Sequence, residues 1–158
     1  MQEGDKFGIW IAGATLRAGA REIDVLTLED IGKQAETSGD LEQELAAMRQ
    51  FDKKGGDFGA EIIGAIVIPI LIEAGKQLWA AYVRKLTDKA AGALADATTD
   101  RVVQLVKRHW KDAPDEAASE FESIVREVGA RQKLPQAQID ELAAAVRSSA
   151  MTKEVSAA

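Results

Sequence analysis

KKGGDFGAEIIGAIVIPILIEAGKQLWAAYVRK, Lys53 to Lys85, begins basic and glycine-rich, passes through an unbroken apolar block and ends aromatic and basic. The strictly apolar run, Ile62 to Ile72, is 11 residues long, a length more typical of a buried core helix than of a bilayer span. The run is β-branched and contains Pro69, so a strand competes with a helix for it. The residues C-terminal to the run decide for helix. Glu73, Lys76, Gln77, Arg84 and Asp88 mark one polar stripe, while Leu71, Ala74, Leu78, Tyr82 and Leu86 mark the opposite side at a 3.6-residue period. Pro69 lacks an N–H and crowds the carbonyl four residues back, which predicts a kink near Ala65–Pro69 or a helix beginning there.

A membrane reading can be weighed with numbers. Ile62 to Val83 would extend roughly 33 Å as a helix, enough to cross a bilayer core. Its Ile, Leu and Val residues contribute about −5 kcal/mol to insertion, and Glu73 and Lys76 cost about +2.5 to +3.5 kcal/mol each. The sum is near zero before Pro69, Gly64, Gly75 and Gln77 are counted. A lone, permanent transmembrane helix is therefore not expected. Trp79 and Tyr82 followed by Arg84, Lys85 and Lys89 do resemble an interfacial belt, and small residues recur every four positions at Gly55/Gly59 and Gly56/Ala60/Gly64. Ile62, Ile63, Ile66, Ile68, Ile70, Leu71, Trp79 and Tyr82 are the candidates for a buried interface or a membrane contact. Glu73 and Lys76 are a candidate buried charge pair. Gly55, Gly56 and Gly59 form a candidate hinge, because glycine admits positive φ and supplies no packing.

The whole chain supports that core reading. Its 158 residues are 46% hydrophobic and 29% charged, as for an ordinary globular protein and unlike a disordered one. Aromatics are scarce and Ala abundant, which suits helices. Cysteine is absent, so disulfides, thiolate metal sites and cysteine nucleophiles are excluded. The first residues lack the basic and apolar regions of a secretory signal, so a cytoplasmic location is expected, with membrane association only under a trigger. The net charge of −6 has no dense basic stripe. Nucleic acid is not an expected partner, since phosphate neutralisation supplies most of such affinity.

The predicted fold is mainly α: a compact bundle of five or six helices around the central apolar helix, within one domain over 1–151. Residues 1–54 form its least defined part, where Ile9/Ile11 and Ile23/Val25 alternate like short strands although Phe7, Ile11, Ala14 and Ala18 keep helical spacing. Thr27 with Asp30 reads as a helix start, and Gly39-Asp40 opens another helix bearing Leu41, Leu45 and Met48. A glycine hinge spans 55–60, and a long helix or helix pair spans 61–111, with Thr98 or Thr99, before Asp100, as a cap. A helical hairpin occupies 114–150, started by Pro114 and again by Pro135, with Gly129 placed to end its first helix. Residues 152–158 read as a frayed tail.

Catalysis finds little support. Asp57-Phe58-Gly59 matches the magnesium-binding triplet of protein kinases, but the glycine-rich loop, strand lysine and catalytic loop are missing. The same glycines lack the Gly-Lys-Ser/Thr ending of a phosphate-binding loop. His109 is the only histidine and has no nucleophile or ligand set around it in sequence. No catalytic, cofactor or metal residue is assigned, and no small-molecule substrate is inferred. The expected function is a non-catalytic interaction or self-assembly module that buries apolar helix surface against another protein or an identical subunit. The alternative is an effector that stays soluble until a trigger drives oligomerisation and membrane insertion.

Overall fold

The computed structural model describes the backbone of residues 1–54, 59–89 and 98–157, and side chains outside 49–63 and 87–97. Within these residues the chain forms eight helices and no strand: α1 Glu3–Ala18, α2 Glu22–Ser38, α3 Leu41–Lys54, α4 Gly59–Lys89, α5 Thr99–Asp112, α6 Pro114–Arg131, α7 Gln136–Arg147 and α8 Ser149–Ser156. One cluster of buried side chains draws on all eight. It includes Phe7, Ile11 and Leu16 of α1, Leu28 and Ile31 of α2, Leu41 and Leu45 of α3, and Ile68, Leu71 and Leu78 of α4. Trp110 of α5, Phe121 and Val125 of α6, Leu142 and Val146 of α7, and Met151 and Val155 of α8 complete it. The helical bundle expected from composition and periodicity is thus the observed architecture.

The N-terminal part is helical throughout, so the alternation of Ile9/Ile11 and Ile23/Val25 does not produce strands. Phe7, Ile11, Ala14 and Thr15 are buried together, and Gly8, Ala12, Gly13 and Leu16 join them. An arc that wide blurs the helical period in the sequence. Thr27 does not start a helix either. It lies inside α2, where its hydroxyl donates to the Ile23 carbonyl at 3.1 Å, the back-bonding usual for a mid-helix threonine. Gly39 ends α2 with φ +77°, a left-handed cap that glycine adopts without a Cβ penalty.

The later starts fall where their residue types place them. Thr98 accepts the Arg101 N–H at 3.3 Å, Pro114 occupies the first turn of α6, and Pro135 precedes α7. Gly129 is a correction: α6 runs on to Arg131, and Gly129 instead lets the Ile139 side chain of α7 lie against the α6 backbone. The tail expected over 152–158 is a second correction as far as Ser156, with Ala158 outside the described residues. Ser148 breaks the last helix and its hydroxyl accepts the Met151 N–H at 3.1 Å, starting α8, which seats Met151 and Val155 in the core. Burial of two apolar side chains one turn apart is what holds down a segment of polar appearance.

Long-range polar contacts tie the helices together. The Thr99 N–H at the start of α5 donates to the Glu3 carboxylate of α1 at 2.8 Å, and the Thr99 hydroxyl donates to the Glu3 carbonyl at 3.0 Å and to the same carboxylate. One helix thereby supplies the anion that another helix's positive end favours. Between α6 and α7, Glu122 accepts from Arg126 at 2.8 Å and from Arg147 at 3.0 Å, while Arg126 also reaches Asp140 at 2.8 Å.

Candidate functional site

α4 is one continuous helix through Pro69, and it is the centre of the bundle. Val67, Ile68, Ile70, Leu71 and Ile72 are all buried, as are Ala74, Leu78 and Tyr82. Ile66 breaks the pattern at 40% exposed, on the side shared by Glu73, Gln77, Ala80 and Arg84. The Ile62–Ile72 block is apolar all round in sequence, yet at Ile66 the polar stripe of the later turns continues into it. Ile62 and Ile63 belong to its first turns, with side chains outside the described residues. Gly55 and Gly56 also lie outside them, and Gly59 is already the first residue of α4.

The closest cover is α1. Gly8 and Gly75 face one another, so that a Cβ at Gly75 would stand 2.8 Å from the Gly8 Cα and one at Gly8 would stand 2.9 Å from the Ile72 carbonyl oxygen. Phe7 packs on Trp79 with ring centroids 5.7 Å apart and on Trp10 at 5.5 Å. The Lys76 ammonium sits beside this crossing, 3.5 Å from Asp5 of α1 and 3.4 Å from Glu42 of α3. Burial works against its charge, but Asp5 and Glu42 outweigh that and hold it above the ordinary lysine range. Glu73 turns elsewhere, accepting from Gln77 at 3.5 Å. The pairing of Lys76 is thus between helices, and the pairing of Glu73 with Lys76 expected from sequence is not the contact formed.

Tyr82 anchors the far end of α4. Its hydroxyl lies 2.5 Å from the His109 Nδ1 of α5, and the Lys85 ammonium sits 4.8 Å from its ring centre. Lys85 in turn pairs with Glu120 of α6 at 3.1 Å, and His109 Nε2 is 3.9 Å from Glu116. Burial, then the carboxylates of Glu120 and Glu116, push the phenol pKa upward. The two side chains share one hydrogen bond, whose donor is set by the imidazole tautomer. With Tyr82 only 4% exposed, this contact ties three helices together. Among the described residues no three His, Asp or Glu side chains are grouped to hold a metal ion. An open depression of 400 Å³ between α2 and α3 is lined by Lys33, Gln34, Thr37, Ser38 and Glu44.

The most conspicuous surface feature lies on α2 and is absent from the sequence candidates. Ile23 is 75% exposed and Leu26 62%. They sit one turn apart, while Leu28, Ile31 and Ala35 face the core. Their phase was the available signal, because a helix whose core stripe is Leu28, Ile31 and Ala35 has no inward place for Ile23 or Leu26. Exposed Glu22, Glu29 and Asp30 flank the pair. Arg21 is engaged by Asp24 at 2.6 Å and by Glu141 of α7 at 3.7 Å. Just before α2, Ala20 holds φ +58°, a left-handed conformation that costs an L-residue roughly 1–2 kcal/mol. Comparisons with family models, with curated proteins and with solved structures find no match for this chain.

Proposed function

We propose that this chain is a non-catalytic helical interaction module that works by burying apolar helix surface against another protein or a second copy of itself. The observation that carries the reading is the exposure of Ile23 and Leu26, at 75% and 62%, well above Ile66 at 40%, the other exposed large aliphatic side chain among the described residues. Two such residues on consecutive turns present an anchor row of the kind helices bind. The interface candidate therefore shifts from the buried face of α4 to the outer face of α2. A photo-reactive residue placed at Leu26 should cross-link to a discrete protein product in cells, and the same residue at exposed Ala80 should not. Equal, diffuse labelling from both positions would remove the reading.

A second reading, conditional membrane insertion, is favoured by one observation. Gly64–Leu86 of α4, 23 residues, is long and apolar enough to cross a bilayer. Against it stands the burial of most of that segment as a core helix. Dye release from anionic liposomes, with the protein's mass in solution determined on the same sample, separates the two. Rapid leakage at low protein-to-lipid ratio would favour insertion, and an inert vesicle would leave the interaction reading in place.

A further inference from the structure

We infer that the occupant of the Ile23/Leu26 surface is an amphipathic helix of a different protein, presenting apolar anchors flanked by Lys or Arg. This rests on the interaction reading above and adds the chemistry of the partner. Ile23 and Leu26 stand at i and i+3 on one exposed face of α2, the spacing that meets i, i+3 and i+4 anchors on a docked helix. Asp30 continues the same face one turn on, and Glu22 and Glu29 border it, all three exposed. Lys33 is the cation at the far end of this face. Arg21 at the near end is already shared between Asp24 and Glu141. Carboxylates thus dominate the rim, and a rim charge of one sign selects a partner of the other.

That sign excludes the competing occupants. An anionic lipid surface and a nucleic acid backbone would both be repelled by Glu22, Glu29 and Asp30. On α4 and α5 a second copy offers no matching surface among the described residues. The cations of α5 (Arg101, Lys107, Arg108, Lys111) accompany Val102, Val106 and Trp110, and those three are buried. Ile66 is exposed, but Lys76, the first described cation after it on α4, is held by Asp5 and Glu42, and exposed Arg84 lies 18 positions, roughly 27 Å, along the helix from it. The strained turn at Ala20 supports the assignment, since backbone held in sparsely populated regions concentrates at functional segments.

The test uses the full chain and two synthetic helical peptides, one with Leu on one face and Lys on the other, the second with Glu replacing every Lys. Fluorescence anisotropy should show tight, salt-sensitive binding of the Leu/Lys peptide only. Ile23→Ser with Leu26→Ser should weaken that binding roughly tenfold or more, with helical circular dichroism unchanged because both side chains are exposed. Glu29→Lys with Asp30→Lys should reverse the preference toward the Leu/Glu peptide. Leu/Lys binding that ignores both double variants would overturn the proposal. Absence of peptide binding combined with a Leu26 cross-link to a second copy would also overturn it, while leaving the interaction reading intact. Absence of both peptide binding and any specific Leu26 cross-link would remove the interaction reading as well.

Discussion

Gly8 and Gly75 are opposed at the crossing of α1 and α4, with room for no Cβ on either: the Gly75 position would meet the Ile11 side chain at 2.6 Å and the Gly8 Cα at 2.8 Å. Backbone cannot yield as a side-chain tip can. Gly75→Ala is therefore expected to destabilise the fold by about 1–2 kcal/mol even after the helix-propensity gain of alanine, because overpacking typically costs about 1–3 kcal/mol. Gly32→Ala is the contrast, since nothing lies within 3.8 Å of a Cβ there. It should stabilise by about 0.5–1 kcal/mol. Urea denaturation of the two variants checks both signs, and the same sign for both would show that the crossing does not discriminate.

Ile66 and Ile68 differ by two positions and by everything else. Ile68 is fully buried, whereas Ile66 is 40% exposed. Ile68→Ala should cost about 2–5 kcal/mol as a core truncation, and Ile66→Ala should stay below about 1 kcal/mol. Matched thermal melts decide this. Comparable losses at the two sites would mean that α4 has no solvated stripe.

These two residues also mark where the sequence stops being informative. The helices begun by Thr98, Pro114 and Pro135 were legible because caps and prolines act locally, through N–H groups one turn away. The apolar block of α4 announced a core helix, but Ile66 and Ile68 look alike in it; only the neighbours supplied by α1, α3 and α6 tell them apart. Lys76 was legible as a costly charge, whereas its partners Asp5 and Glu42 lie 71 and 34 positions away and no periodicity points to them. Residues 1–54 gave a mixed signal because α1 is buried over a broad arc. The outer face of α2 was readable in principle, through the phase of Ile23 and Leu26 against Leu28 and Ile31, and it is the part that sequence reasoning missed.

Acid should loosen the junction of α1 and α5. The hydrogen bonds from the Thr99 side chain and backbone hold the Glu3 carboxyl below its ordinary value of 4.5. A lowered folded-state pKa means that the stabilisation is complete above the unfolded value and disappears as pH falls through the folded one. The wild-type melting temperature should therefore decline below about pH 4.5, with Glu122 and Asp140 contributing in the same direction through Arg126 and Arg147. Glu3→Gln should lower stability at neutral pH and flatten this acid limb. An unaltered limb in that variant would show that the contact carries no proton linkage.

Alkali tests Tyr82. Its folded-state pKa is raised, first by burial and then by Glu120 and Glu116, above the ordinary 10.0. The neutral phenol's contribution is complete below the unfolded value and is lost as pH rises through the folded one. The chain holds a single tyrosine, so tyrosinate absorbance reports this residue alone and should appear only together with loss of helix. Tyr82→Phe should cost about 1 kcal/mol, the hydrogen bond to His109. Tyrosinate formation in a fully helical protein at its ordinary pH would contradict the burial.

Trp110 has an indole N–H that is buried without an acceptor, while its ring meets Phe121 edge-on at 6.4 Å. An unsatisfied buried donor costs about 1–3 kcal/mol, which should offset most of the volume lost in Trp110→Phe. That variant is expected within about 1 kcal/mol of wild type, against roughly 3–5 kcal/mol for Trp110→Ala. A large loss in the Phe variant would show that the ring's size outweighs its orphaned proton.

Helix α8 closes the bundle on α1, which is made well before it. Thr15 of α1 donates to the Met151 sulfur at 3.9 Å across 136 positions, and Arg17 pairs with Glu154 at 3.2 Å. During synthesis at about 5–20 residues per second, α1 would wait roughly 7–27 s after its own emergence for that cover. For that interval its side chains toward α8 have only water or a chaperone to face. The folding hazard of this chain is set by translation speed across its middle, and slowing the ribosome between α1 and α8 would lengthen the exposure without changing a single native contact.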